Sequence, residues 1–384
     1  MDSARHALYL VPETAYGVTP DTPSFERFRH TGATPGATKN TSISDELRPD
    51  RQIADFRHGI VSVGGELNFE FSYGSFDTAM QAALLGTWTL AMNLASTTVA
   101  VDDADNSYNS TGLALLRAGD KITVAGFTTP ANNGVKTVVS STGTKIVVAE
   151  AGLVDEASGD SVTIVSARKV LKAGVDRQSF TLMRHFTDMD SAAKPFHLFK
   201  GVELNTMSLS LTPGDKVTGS FGLLGREPVI LEEAPAGSVL GVATTSRVFD
   251  SFTGSLKEGG TEIGIVTEIT LTLENGLEAR PVLFSKFTLE PSIQRSNLTG
   301  QITVYFEDAT MLEKFLDETA SSLDFTITDL DGNSYRFLIP NISYTGGQPD
   351  TTGQGSISLA MPFQAVYDPT NASQIVIEKI PASA

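Results

Sequence analysis

From Val61 to Phe71 the large apolar side chains Val61, Val63, Leu67, Phe69 and Phe71 take alternate positions, with Gly64 and Gly65 where the alternation slackens. A period of two lays them on one face of a strand, and the paired glycines predict a bend or bulge. The period then changes. Phe76, Met80, Ala83 and Leu84 recur at helical spacing, so a helix is expected between a cap at Ser75 and a stop at Gly86. The same switch recurs far downstream: TGQITVYFEDATMLEKFLDE at 299–318 alternates and then places Met311, Phe315 and Leu316 on a helical stripe behind a cap at Thr310. Phe76 and Met311 stand equally far beyond Phe71 and Phe306, so both stripes read as core.

A matched series of strands follows each switch. FTLM, HLFKGVELN and TGSFGLLG begin at 180, 197 and 218; FTIT, YRFLIPNIS and QGSISLAM begin at 325, 335 and 354 in the same order. The chain therefore reads as an internally duplicated β-rich unit, an arrangement suited to filling two equivalent places in a ring. The copies differ just after the helix. In the second, Phe325–Thr328 follows almost at once and the turn DLDGN predicts a hairpin into Tyr335–Ile339; in the first, about 90 residues intervene. STTVAV, DKITVAG, KTVVSS, TKIVVAE and SVTIVS, separated by turns such as NNG and STG, predict a small barrel or sandwich inserted there. Because the twin unit lacks it, this insert is expected at the periphery and dispensable for the core architecture.

The expected fold class is mainly β: two tandem β-sandwich or barrel units, each with a flanking α-helix, and a small inserted all-β domain. The first unit takes 1–90 and 169–235, the insert 91–168, a linker 236–248 and the second unit 249–384. The Pro-, Gly- and acid-rich stretch at 226–243 reads as the join between units. Ile269, Leu271 and Leu273 alternate before an Asn275-Gly276 turn, and IVIEKI near the end reads as an edge strand or a tail reaching another subunit.

Before the first switch, Pro12, Pro20, Pro23, Pro35 and Pro49 exclude long helices and central strands. NTSISDELRPDRQIADFRH at 40–58 reads as an extended charged loop, with Ile43, Leu47, Ile53 and Phe56 as its apolar anchors. Alternating charge around periodic anchors favours docking on a partner. Its candidate contact residues are Asp45, Glu46, Arg48, Asp50, Arg51, Asp55, Phe56 and Arg57.

Composition narrows the function. With 384 residues, 40% hydrophobic, and 34 Gly and 17 Pro as punctuation, several packed β units are expected. The net charge of -17 argues against general nucleic-acid binding, since phosphate affinity comes from lysine and arginine. It leaves room for DNA to slide past a surface of like charge. Without cysteine there are no disulfides or thiol chemistry, and no apolar run reaches the length of a signal peptide or membrane span. The reading is of a chain made and assembled in a cytoplasm. His6, His30, His58, His185 and His197 show no metal-ligand spacing, DLDGN lacks the later ligands of a calcium loop, and Gly219-Ser220-Phe221-Gly222 is no nucleophile elbow. No enzyme, metal or cofactor is expected.

Two stretches resemble the major tail tube proteins of long, non-contractile-tailed bacteriophages. One is LVPETAYGVTPDTPSFERFRHTG, with Glu13, Tyr16, Gly17, Pro20 and Pro23; the other is SDELRPDRQIADFRHGIVSVGGELNFEFSYGSFDTAMQAALLG. The resemblance implies a β-sandwich or barrel-like subunit with a flanking helix, joined at sheet edges into rings that stack as a tail tube and conduct genomic DNA. It implies that the charged loop bridges successive rings. Implied partners are further copies of the chain, the tape measure protein and genomic DNA held in the lumen without specific binding, and tail terminator and distal tail proteins. The family commonly builds six-fold rings from single units, so a duplicated chain is expected as a homotrimer with pseudo-six-fold symmetry, the alternative being a homohexamer. Rival readings are a tail terminator or baseplate ring of the same fold and a carbohydrate-binding β protein; the latter is disfavoured by Trp88 being the sole tryptophan.

Overall fold

The computed structural model describes residues 5–351 and 355–382. Gln354, with which the QGSISLAM stretch begins, lies outside the described residues. The chain is mainly β, with helices α1 (Asp77–Ala83) and α2 (Thr310–Leu316). Five strands stand side by side in the order Gly36–Ile43, Phe56–Glu70, Thr218–Gly225, Phe196–Leu211, Phe180–Phe186, all antiparallel. A second five repeat that order: Val266–Glu274, Asn297–Tyr305, Ser358–Ala365, Ser334–Tyr344, Ser321–Thr328. In chain order each set has its helix between the second and third strands. The sets join edge to edge, Thr206–Leu211 pairing with Glu274–Ile269.

Alternation makes these strands two-faced. Leu67 and Phe69, Phe221 and Leu223, Leu209, Leu271 and Leu273, Ile302 and Val304, and Met361 and Phe363 are all buried in one core that spans both sets. Aromatic rings knit it: Phe69 lies 4.3 Å from Phe76, and Phe71 lies 5.1 Å from Tyr335 of the second set. The long strand bends at Gly65, where φ is +134° and a Cβ would stand 2.5 Å from the Thr34 carbonyl oxygen, so only glycine fits.

The helices differ from expectation at their ends. α1 buries Ala79, Met80, Ala82 and Ala83, but Phe76 takes the cap position without a side-chain bond. The Ser75 hydroxyl is engaged elsewhere, by Ser72 and by Thr244 of the inter-unit connection. The left-handed residue that ends the helix is Leu85, not Gly86; Gly86 is needed because a Cβ there would meet the Lys172 carbonyl. In α2 the Asp308 carboxylate accepts from the Thr310 amide at 2.8 Å, so Asp308 does what was expected of Thr310. Met311 is buried, yet Leu316 is two-thirds exposed and falls off the stripe.

Residues 93–166 form a separate antiparallel sheet of seven strands around Val101, Tyr108, Ile122, Val124, Ile146 and Ile164. Two stretches expected as connection or edge lie inside sheets. Glu227–Leu231 pairs with Phe196–Lys200, and Val239–Leu240 runs parallel to Ser24–Phe25. The closing IVIEKI is an interior strand: Val376–Ile380 pairs with Ser334–Leu338 on one side and with Lys169–Lys172 on the other. Ile375 to Ile377 are buried, as a strand flanked on both sides requires.

Candidate assembly surfaces

The face of the joined sheet opposite the core is polar. Registered rows cross six strands: Asn68, Ser220, Ser208, Thr272, Thr299 and Gln364 form one, and Glu70, Thr218, Ser210, Thr270 and Gln301 continue into Pro362 in the next. A third runs Glu66, Gly222, Thr206, Glu274, Asn297. These rows contain carboxylates, hydroxyls and amides and no lysine or arginine. At one end Lys216 Nζ reaches Glu70 at 2.8 Å. Ser208 and Ser220 bond each other at 2.8 Å across the strands, so part of the face is internally satisfied and smooth.

Gly36–Ile43 borders this sheet. Its inward side pairs with Phe56–Gly64, while among the described residues no strand pairs with its outward side. From Thr38 to Ile43 every residue is exposed, whereas the matching strand of the second set, Val266–Glu274, buries Ile269, Leu271 and Leu273. A strand with both faces bare is stable only with company.

The stretch 40–58 is not a loop throughout. Its ends are paired strands, Ile43 with Phe56 and Ser42 with Arg57, so the segment is a long projecting hairpin with 44–55 as its tip. All eight candidate contact residues lie on it. Arg48 donates twice to Asp50, at 3.1 and 2.9 Å, and Arg57 donates to Asp55 at 2.9 Å. These guanidiniums hold the Asp50 and Asp55 carboxyls below the usual carboxylate range. The Arg51 amide closes a turn on the Arg48 carbonyl, and Arg51 itself has φ +60°. The Glu46 amide is held by the Ser44 hydroxyl at 3.2 Å, and Asp45 stands exposed beside it. Phe56 packs edge-on against His58, and Leu47 at the tip is 98% exposed.

A second projection was not singled out in the sequence. Residues 275–296 connect Val266–Glu274 to Asn297–Tyr305, the same place in the second set that 44–55 holds in the first. Glu278–Arg280 pairs with Leu289–Ser292, and the tip carries Val282, Leu283 and Phe284 into solvent. The available signal was three consecutive apolar residues after Pro281, in a stretch without strand or helix period. The root is fixed by Asn275, whose Nδ2 donates to the carbonyls of Ala83 and Leu204, and the connection at the tip is tied to the first set, where the Val61 amide donates to the Lys286 carbonyl at 2.9 Å.

Three histidines that looked scattered, His6, His30 and His197, meet around Arg184, with His185 next to it along the strand. Arg184 Nε donates to His6 Nε2 at 3.1 Å, which leaves His6 Nδ1 to donate to His30 Nε2 at 2.9 Å and His30 Nδ1 to face the Phe28 carbonyl. His185 stacks on Phe196 and His197 lies edge-on to Phe186. Burial, reinforced by Arg184, lowers His6 to about 4; His30, His185 and His197 are lowered by burial too. Neutral imidazoles beside two arginines suit a structural knot. On the inserted sheet Asp102, Asp103 and Asp155 draw together in a mostly exposed group, and Asp155 raises the Asp103 carboxyl. Among the described residues no helix is long and apolar enough to cross a membrane.

Residues 3–365 match the family model for phage tail tube protein. No curated protein matches the chain.

Proposed function

Because the chain belongs to the phage tail tube protein family, and is thus a structural component of the virion tail, we propose that three copies close into a ring of pseudo-six-fold symmetry and that rings stack around a channel crossed by genomic DNA. The internal seam carries this reading. Two strand sets of identical order are already joined edge to edge at Thr206–Leu211 and Ile269–Glu274. The counterpart of Val266–Glu274 in the first set is Gly36–Ile43, whose outward side is open. A second copy, offering the part of its second set beyond Tyr344, repeats the seam between chains. Three chains with two sets each then give six seams of one kind, three internal and three intermolecular.

The polar rows supply the channel wall. Glu66 and Glu274 repel phosphate, Lys216 offsets Glu70 at one end of the wall, and the hydroxyls and amides between them carry no positive charge to arrest it. The tape measure protein occupies the same lumen before DNA does, and terminator and distal tail proteins close the two ends. The 91–168 domain sits on the outside of the ring. Electron-microscope class averages of the concentrated protein test the stoichiometry: rings of three chains with six lobes are expected, and six whole chains per ring would overturn it. Single closed rings that never polymerise in sedimentation would favour the terminator or baseplate reading instead.

A further inference from the structure

Independently of assembly, we propose that the pocket at the end of the Ser24–Phe28 strand binds a free phosphate-class oxyanion, inorganic phosphate or pyrophosphate, between the guanidiniums of Arg27 and Arg29. The pocket has a volume of about 480 Å³, and its lining includes His6, Arg27, Arg29, His30, Thr31 and Ala243 and no acidic residue. In a chain of net charge -17 this is a concentration of cationic groups without a counter-charge. Arg27 Nη1 donates to the Tyr9 hydroxyl at 2.9 Å, and Arg29 Nη1 donates to the Ser72 hydroxyl at 3.1 Å and to the Ser246 carbonyl at 2.6 Å. All three acceptors are neutral. Both guanidiniums are therefore positioned but not neutralised, and each keeps further N–H groups free to donate.

The groups behind the pocket add to its positive potential. His6 is faced by Arg184 and His185 from the 180–186 strand and by Arg27 and His30 from the 24–28 strand and its continuation, and no carboxylate is among the charges that shift either His6 or His30. Arg184 also meets neutral acceptors, His6 Nε2 at 3.1 Å and the Pro35 carbonyl at 2.9 Å. Three half-buried guanidiniums without a carboxylate carry a desolvation cost that a bound anion offsets. The planar arginine fork meets phosphate oxygens through two parallel hydrogen bonds. Two forks beside one cavity suit a tetrahedral anion of more than one negative charge better than a lone carboxylate. The bound anion also steadies the inter-unit connection, because Ala243 lines the pocket and Arg29 holds the Ser246 carbonyl.

Titration calorimetry of the full chain with pyrophosphate and with phosphate, at constant ionic strength, tests the site. A saturable one-to-one heat is expected, with a rise in melting temperature of about 2–4 °C at saturation. Acetate should give neither. Thr31 is exposed at the pocket, so Thr31→Asp adds a carboxylate there without altering either guanidinium. It should weaken binding by about tenfold or more, and Thr31→Asn should bind as the unmodified chain does. Arg27→Gln should weaken binding to a similar degree; should that variant not fold, the two Thr31 variants decide, since the side chain they replace is on the surface. Four results overturn the proposal: no saturable heat up to about 1 mM, unchanged affinity in Thr31→Asp, acetate binding as tightly as pyrophosphate, or binding of a short single-stranded oligonucleotide without binding of pyrophosphate.

Discussion

At the scale of single residues, several side chains quoted for the family resemblance have a physical reason to be where they are. The Glu13 carboxylate is buried and accepts from the amides of Gly17 and Gly201 at 2.7 and 3.0 Å and from the hydroxyls of Ser179 and Thr181, both at 2.8 Å. It ties the N-terminal turn to two strands far along the chain, and full hydrogen bonding offsets the cost of burying its charge. Gly17 at φ +76° leaves room for the Arg226 guanidinium. The histidine knot titrates. His6 falls from an ordinary 6.5 to about 4 in the folded state, chiefly through burial and then through Arg184, with His30, Arg27 and His185 also facing it. The folded state thus prefers the neutral ring, and its stabilising effect is complete above about pH 6.5 and lost as the pH falls towards 4. Melting temperature should drop between pH 7 and pH 4.5, and His6→Gln should shrink that drop; an equal drop in the variant would discount the knot. None of this was legible in spacing, because the four histidines come from separate elements and only the sheet brings them together.

Elements were read best where their period was unambiguous and worst where a neighbour decided their surroundings. The Val61–Phe71 alternation and the Phe76, Met80, Ala83, Leu84 stripe both face the core, because a strand or helix with one apolar face has only one place to put it. IVIEKI looked like an edge because its run is short and charged at Glu378 and Lys379. Its partners are strands at 334–338 and 169–172, contacts that no local pattern encodes. Glu378 shows why a charge is tolerated there. Its buried carboxylate receives Arg117 and Arg168 from the inserted sheet, Arg168 at 2.8 Å, and Arg336 from the second set at 3.1 Å. Arg168 in turn holds Asp120 at 3.0 Å. One strand thereby clamps the insert to the second set. Removing the acceptor takes one partner from each of three guanidiniums, but Arg168 keeps Asp120, Arg336 keeps Asp324 and Arg117 is partly solvated, so the cost falls below the about 3–5 kcal/mol of a buried charge left with no partner. Glu378→Gln should lower the denaturant midpoint accordingly; a shift within the error of the unmodified protein would mean that the clamp contributes no net stability.

Over the whole molecule, stability and assembly draw on different residues. The core joins both strand sets through Phe71, Tyr335 and their neighbours, so a single chain folds without help from its projections. The 40–58 hairpin contributes little to that fold. Its ion pairs, Arg48 with Asp50 and Arg57 with Asp55, are local and solvent-exposed, so water and salt screen most of their attraction. In a chain of net charge -17, however, Arg48, Arg51 and Arg57 stand among Asp45, Glu46, Asp50 and Asp55 on an exposed projection, and stacked rings of like charge need arginines at the contact to approach. Replacing all three by alanine should therefore leave the melting temperature of the unassembled chain within about 2 °C of the original. The same change should reduce polymer in a sedimentation run by an order of magnitude, and raising salt on the unmodified protein should mimic it in part by screening. Tubes of ordinary length from the triple variant would show that ring stacking does not depend on these arginines.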